Sequence, residues 1–246
     1  MLKAVTFDWW FTITNMPVKP DEFAKWAKEH RLRGMKEVLD RAGVNIDEKR
    51  LSEAYDLLSG HLKDAWDRNM DVSGEEQMAL FLQYAGVRKI TDAGLVDKLG
   101  VPFSNALLDR PPTLNDGVVD CLSSLRRRGL KIGIISNTGR TWGRVLIELQ
   151  KEYGIRDSFD VLSFSDEIGV RKPHPAIFKK TLKGLGLQPE NVLHIGDNVI
   201  DDVGGAKGVG MKAVWYNTGT WQDAKTDEAD GEIHHFSELD EIIRRL

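Results

Sequence analysis

Apolar and polar positions follow two different periods along this chain, and the change of period divides it. A short apolar run, Ala4, Val5 and Phe7, leads directly into Asp8 and reads as a buried strand ending on a carboxylate. Between residues 21 and about 110 the apolar positions recur every three or four residues with no convincing strand among them, the pattern of amphipathic helices. One segment carries Phe23, Trp26, Ala27, Met35, Val38 and Leu39, and the next carries Leu51, Tyr55, Leu58, Leu62, Ala65 and Trp66. A third is predicted over 77–84, stopped by Gly86. A fourth is predicted from about Asp92 to Leu108, with a break near Gly100 and Pro102. Asp47 and Ser73 are predicted N-caps, and Ser73 with Glu76 has the spacing of a capping box. The tryptophans and tyrosines of these segments are read as helical core.

Pro111-Pro112 is stiff and extended and marks a boundary. Beyond it helices and strands alternate. Helices are predicted near 116–128, 142–153, 175–185 and 202–207, with a last one opened by Ser237 as N-cap. Strands are predicted at 130–136, near 160–164, at 191–195 and at 212–216. Such alternation means βαβ units and a parallel sheet covered on both faces. The expected fold is therefore α/β, a Rossmann-like parallel-sheet core domain (1–14 and 111–246) interrupted after its first strand by an all-helical domain (15–110).

Composition narrows the function classes. The 246 residues are 41% hydrophobic and 29% charged with a net charge of −4, an ordinary globular balance that gives no reason to expect nucleic acid or a membrane surface as partner. No apolar run approaches the roughly 18 residues of a membrane span, and no signal peptide precedes the first strand. The single cysteine, Cys121, excludes an internal disulfide and fits a reducing compartment. A cytoplasmic protein is expected, a monomer or homodimer.

Polar groups sit at the ends of the predicted strands, where ligands bind in open α/β sheets. Asp8 ends the first, with Thr12 in the turn beyond it. Ser136 ends another and is followed by Asn137, Thr138 and Gly139, a set of donors suited to an oxyanion or to capping a helix. Lys172 stands in Arg171-Lys172-Pro173-His174-Pro175, where prolines restrain a cation suited to phosphate or carboxylate. Asp197, Asp201 and Asp202 follow Gly196, and so acidic a cluster repels itself unless a hard cation such as Mg²⁺ is bound.

The order of these four stretches resembles the haloacid dehalogenase (HAD) superfamily over essentially the whole chain, with the helical insertion where that family carries its cap. The resemblance implies that Asp8 is a nucleophile forming an aspartyl phosphate and that Lys172 binds phosphoryl oxygens. It implies that Ser136 with Asn137 binds phosphate, with Thr12 and Trp10 beside the substrate. It implies a Mg²⁺ ion held by Asp8, Asp197, the backbone carbonyl of Trp10 and, behind Asp197, Asp202 or less directly Asp201. The implied activity is a Mg²⁺-dependent phosphatase of a small phosphorylated metabolite.

One position departs from that pattern. The family's phosphatases carry a second Asp two residues after the nucleophile, which protonates the leaving group, and here Trp10 stands there, followed by Phe11 in place of the usual glycine. Asp201, Glu75, Glu76 and His174 are the candidate substitutes for the acid–base group. Haloacid dehalogenases have a tyrosine at that position and need no metal. Phosphonoacetaldehyde hydrolases resemble the Asp8-Trp9 start but require a lysine from the cap, for which Lys25, Lys28 and Lys36 are candidates by position only. A catalytically impaired domain that binds phosphate is the remaining alternative. Gly205 and Gly210 have the spacing of a phosphate-binding P-loop, but Met211 stands where its lysine belongs.

Overall fold

The computed structural model describes residues 1–16, 19–87, 94–219 and 224–246. Six strands form one sheet, β1 (Ala4–Phe7), β4 (Lys131–Ser136), β5 (Val161–Phe164), β6 (Val192–Gly196), β7 (Lys212–Tyr216) and β8 (Gly231–Ile233). Their order is β5-β4-β1-β6-β7-β8 and every pairing is parallel. All four residues of β1 and all five of β6 are buried, because a parallel sheet is covered on both faces and its strands must be apolar on both sides. The expected α/β parallel-sheet architecture is therefore what the chain adopts.

On one face α6 (Val118–Arg127), α7 (Gly143–Glu152) and α11 (Leu239–Arg245) bring Leu122, Leu125, Leu146, Leu149 and Ile243 against Val5, Phe7, Ile134 and Ile195. On the other, α9 (Pro175–Leu185) and α10 (Gly205–Lys207) pack Ile177, Phe178, Leu182 and Ala206 against Ala4, Ile135, Val192 and Trp215. β1 lies between β4 and β6 and the connections turn opposite ways from it, so the carboxyl ends of these strands open a crevice at the point of reversal.

Five helices follow β1: α1 (Pro20–Arg41), α2 (Glu48–Trp66), α3 (Gly74–Tyr84), α4 (Leu95–Ser104) and α5 (Ala106–Asp109). Their apolar stripes meet in a separate cluster that includes Met35, Leu39, Leu58, Leu62, Phe81, Leu99 and Phe103, with Trp142 contributed from the start of α7. Asp47 and Ser73 cap α2 and α3, accepting from the Arg50 and Glu76 backbone N–H groups at 2.8 and 3.3 Å. The chain leaves the sheet through β2 (Thr14–Asn15) and returns through β3 (Thr113–Leu114), which pair antiparallel. A second connection runs through the backbone. Met70 bridges Val170, the Asp71 N–H donates to the Gly169 carbonyl at 3.0 Å and the Arg171 N–H to the Asn69 carbonyl at 2.9 Å.

Local differences from the sequence reading have physical causes. The expected start of the fourth helix at Asp92 lies outside the described residues. Its break falls at Asn105 rather than at Gly100 and Pro102, because Pro102 stays inside α4 with its ring against Gly34 of α1, where an added Cβ would lie 2.5 Å from the Pro102 Cβ. The short helix expected at 202–207 begins earlier, as a π-helical turn (Val199–Gly204) capped by the Asn198 side chain. Ser237 is not an N-cap. A 3₁₀ turn (Phe236–Glu238) precedes α11, and the His235 ring nitrogen accepts the Ser237 N–H at 3.1 Å. β8 and a one-turn helix, α8 (Ser165–Ile168), are too short to leave a periodic pattern. Among the described residues no helix is long and apolar enough to cross a membrane.

Candidate active site

Four loops at the carboxyl ends of β1, β4, β5 and β6 enclose a cavity of about 560 Å³, roofed by side chains from α1 and α2. Asp8, Trp10, Asn137, Lys172, Asp197, Asp201 and Asp202 all line it. Four stretches far apart in sequence thus meet at one rim of the sheet.

Asp8 is 5% exposed, and its backbone N–H continues the β1–β6 ladder to the Ile195 carbonyl at 2.9 Å. The Lys172 ammonium lies 2.5 Å from Asp8 Oδ1 and 2.6 Å from Asp202 Oδ1. Lys172 is placed by its backbone as well as its head. Asn137 Oδ1 accepts the Lys172 N–H at 2.7 Å and Asn137 Nδ2 donates to the Lys172 carbonyl at 3.1 Å, so one amide clamps the peptide on both sides. Asp202 is held in turn by His194, whose Nε2 lies 3.0 Å from Oδ1, and by the Asn198 N–H, 3.0 Å from Oδ2. The tautomer with Nε2 protonated satisfies both ring contacts, since His194 Nδ1 then accepts from the Thr6 hydroxyl at 2.9 Å. Gly196 makes this packing possible, because a Cβ there would lie 2.1 Å from Asp202 Cγ.

The electrostatics follow from burial. Removal from water pushes the Asp8 carboxyl well above the usual carboxylate range. Lys172 opposes that shift, while the negative charges of Asp202 and Asp197 add to it. Burial disfavours the charged forms of Lys172 and Asp202 too. Yet Asp202 and Asp8 hold the ammonium protonated, and Lys172 with His194 holds the Asp202 carboxyl below its ordinary value. Three buried carboxylates, Asp8, Asp197 and Asp202, offer oxygens within 4.8 Å of one another. One ammonium among several carboxylates leaves excess negative charge, and an all-oxygen donor set of this kind fits a hard divalent cation such as Mg²⁺.

The loop after Asp8 is a tight turn. Phe11 has φ +56°, the left-handed region that glycine enters freely and a β-carbon resists at about 1–2 kcal/mol. Asn115 holds the turn from below, its Nδ2 donating to the Thr12 carbonyl at 2.7 Å. The Trp10 indole N–H donates to the Asn137 carbonyl at 3.0 Å. Trp10 and Asp8 both line the cavity. Ser136 and Thr12 sit one step back: both hydroxyls are buried without a hydrogen-bond partner, and neither residue is on the cavity lining.

Of the four candidate acid–base substitutes only Asp201 lines the cavity, with its carboxylate 3.3 Å from Asn137 Nδ2. Glu75 and Glu76 are exposed in the first turn of α3, and the His174 side chain caps α9 through the Ala176 N–H. Lys28 and Lys36 pair with Asp56 and Asp40, and Lys25 is exposed. Trp66 packs against the helical cluster as expected, but it has a second face. It lines the cavity, with the guanidiniums of Arg171 and Arg140 at 4.7 and 5.4 Å from its ring. Arg31, Arg140 and Arg171 were not anticipated on the cavity wall. Arg140 stands four residues beyond Ser136 at a strand end, which is the one signal that marks it. Nothing in the periodicity separates Arg31 or Trp66 from the other residues of α1 and α2.

The fold and site thus define a parallel-sheet α/β protein that carries a buried carboxylate, a buried lysine and an acidic cluster at the reversal point of its sheet. The chain belongs to the haloacid dehalogenase-like hydrolases, whose family model matches residues 2–210. A glyceraldehyde 3-phosphate phosphatase from Methanocaldococcus jannaschii is 30% identical over 249 aligned positions, covering 100% of this chain and 99% of the relative. One of the same name from Methanothermobacter thermautotrophicus is 29% identical, covering 99% and 100%. Among solved structures, a HAD phosphatase from Thermococcus onnurineus matches at TM-score 0.59 and 24% identity, covering 98% of each chain. A 2-haloacid dehalogenase from Pseudomonas syringae pv. tomato matches at TM-score 0.70 and 21% identity, covering 100% of this chain and 99% of the other.

Proposed function

We propose that this hydrolase is a Mg²⁺-dependent phosphatase of small phosphorylated metabolites, with residues 15–110 acting as a cap over a core formed by 1–14 and 111–246. The observation that carries the reading is the buried Lys172 ammonium bonded to both Asp8 and Asp202 beside Asp197. This arrangement neutralises an attacking carboxylate and receives an anionic phosphoryl group. The full-length relatives named as phosphatases support it.

In this reading Asp8 attacks phosphorus. A bond forms between its carboxylate oxygen and phosphorus, the ester P–O bond breaks, and the leaving oxygen departs with its electron pair. Water then attacks the aspartyl phosphate and releases inorganic phosphate and Asp8. Lys172 holds phosphoryl oxygens and offsets charge as Asp8 approaches an anion, which is most of what phosphoryl transfer asks of a protein. Asp202 keeps the ammonium in place, since three donors already occupy its oxygens. The Ser136 hydroxyl, buried and unpartnered, is a donor in reserve for a phosphoryl oxygen. A Mg²⁺ ion held by Asp8, Asp197 and the Trp10 carbonyl would supply further charge neutralisation when bound. Trp10 has no proton to give a leaving alkoxide, and its N–H is committed to Asn137. Aryl and acyl phosphates, whose leaving groups need no proton, are therefore the better substrates.

The test is phosphate release from p-nitrophenyl phosphate and glycerol 3-phosphate with Mg²⁺ and with a chelator, beside Asp8→Asn. Mg²⁺-dependent release that Asp8→Asn abolishes supports the reading. Inactivity on every phosphate, together with metal-independent halide release from 2-haloacids, replaces it with a dehalogenase.

A further inference from the structure

Two guanidiniums on the cavity wall have no carboxylate paired with them among the described residues. Arg31, on α1, is 5% exposed. Its Nε donates to the Phe103 carbonyl at 2.7 Å and its Nη1 to the Tyr55 hydroxyl at 3.4 Å, both neutral acceptors. Arg140, in the loop after β4, lies with its guanidinium 5.7 and 5.4 Å from the rings of Tyr55 and Trp66, and its Nε is buried without a hydrogen-bond partner. Neither forms an ion pair among the described residues. Arg171, the third arginine on the wall, is different: Asp71 pairs with it at 2.9 Å.

Burying the Arg31 cation without a counter-charge is costly, and the half-buried Arg140 beside it adds to the cost; a protein tolerates this where an anion arrives from outside. The two charges are also neighbours. Tyr55 touches both, and Arg140 opposes the protonation of Arg31 in addition to the larger effect of burial. The phosphoryl group is already served by Lys172 next to Asp8, so it does not account for this pair. Planar guanidiniums suit carboxylate and phosphate oxygens, which they bind in bidentate fashion. A cavity of about 560 Å³ has room for a metabolite that reaches both places.

We propose that Arg31 and Arg140 form a second anion subsite. The substrate class is then a phosphate ester bearing another anionic group, a carboxylate or a second phosphate, away from the reacting phosphoryl group. The inference rests on the phosphatase reading for where that phosphoryl group sits. It separates this chain from relatives named for glyceraldehyde 3-phosphate, whose only anionic group is the phosphate. It also gives the subsite a closing role, since Arg31 comes from the helical layer and Arg140 from a sheet loop.

The experiment compares glycerol 3-phosphate with 3-phosphoglycerate and with propane-1,3-diol bisphosphate, as kcat/KM for the wild type, Arg140→Gln, Arg140→Lys and Arg31→Gln. The wild type prefers at least one doubly anionic ester by about tenfold or more, and which of the two is preferred tells carboxylate from phosphate. Arg140→Gln lowers that preference by about 10- to 100-fold, the worth of a charge-assisted hydrogen bond, and Arg140→Lys restores part of it. Arg31 also braces the Phe103 carbonyl, so Arg140→Gln decides the matter if Arg31→Gln does not fold. Equal rates on all three esters, or a preference untouched by Arg140→Gln, overturns the proposal. Calorimetric Kd values on Asp8→Asn separate the two readings. Tighter binding of the doubly anionic esters with no hydrolysis by the wild type keeps the subsite and discards the phosphatase. Hydrolysis without preference does the reverse.

Discussion

Replacing Trp10 by aspartate tests what the indole costs this enzyme. Trp10 stands two residues beyond Asp8 and lines the same cavity, so in the proposed reading a carboxyl there is positioned to serve the leaving group. A positioned acid–base group contributes about 10²- to 10⁴-fold where the leaving group needs a proton and little where it does not. The substitution has a structural cost. It removes the indole N–H bond to the Asn137 carbonyl at 3.0 Å, about 0.5–1.5 kcal/mol. It also removes a half-buried ring, about 1 kcal/mol more. A loss of about 2 kcal/mol lowers Tm by roughly 4–8 °C in a chain of this size. The assay is kcat/KM on glycerol 3-phosphate divided by that on p-nitrophenyl phosphate. The alkyl-to-aryl ratio rises by about 10²-fold or more in Trp10→Asp, even if both rates fall through the damaged wall. A folded variant that still hydrolyses p-nitrophenyl phosphate with an unchanged ratio refutes the reasoning. Position 10 would then have no access to the leaving oxygen.

Gly196→Ala drives a Cβ into Asp202, which loosens Lys172; activity falls at least tenfold and Tm drops, since overpacking costs about 1–3 kcal/mol. The Asp230 carboxylate accepts from the Ala213 N–H and Lys207, and these contacts outweigh burial and hold its pKa below 3.8. Its contribution, about 1 kcal/mol or less for so exposed a group, is present above pH 3.8 and is lost as pH falls through the depressed native value. The stability gap between wild type and Asp230→Asn, measured by denaturant titration, therefore closes in acid. Burial and Asp240 push the Cys121 thiol up to about 12, so iodoacetamide labels the native protein at pH 8 far more slowly than the unfolded chain, as mass spectrometry would show.

What was legible in the sequence was what strands place. Asp8, Ser136 and Asp197 stand where apolar runs stop, and a parallel sheet brings such ends to one edge whatever the loops do. Lys172 was legible because prolines follow it at 173 and 175. What was hidden lies in contacts between side chain and backbone and in helices. Asn137 offers no clue in sequence that both ends of its amide hold the Lys172 peptide. Arg31 and Trp66 occupy helical positions whose spacing is the same as that of true core residues. Whether such a position faces its own bundle or the neighbouring layer depends on how α1 and α2 sit over the sheet, which no local period encodes. β8 is three residues long and owes its existence to the edge that β7 presents.

The backbone bridge that joins Asn69 and Asp71 to Gly169 and Arg171 ends one residue short of Lys172. Those two hydrogen bonds, with the Met70–Val170 bridge between them, tie the helical segment to the stretch of backbone that carries the ammonium. A shift of Asn69 or Asp71 is handed on through one peptide to Lys172, so the place of the cation beside Asp8 is coupled to the seating of the helices.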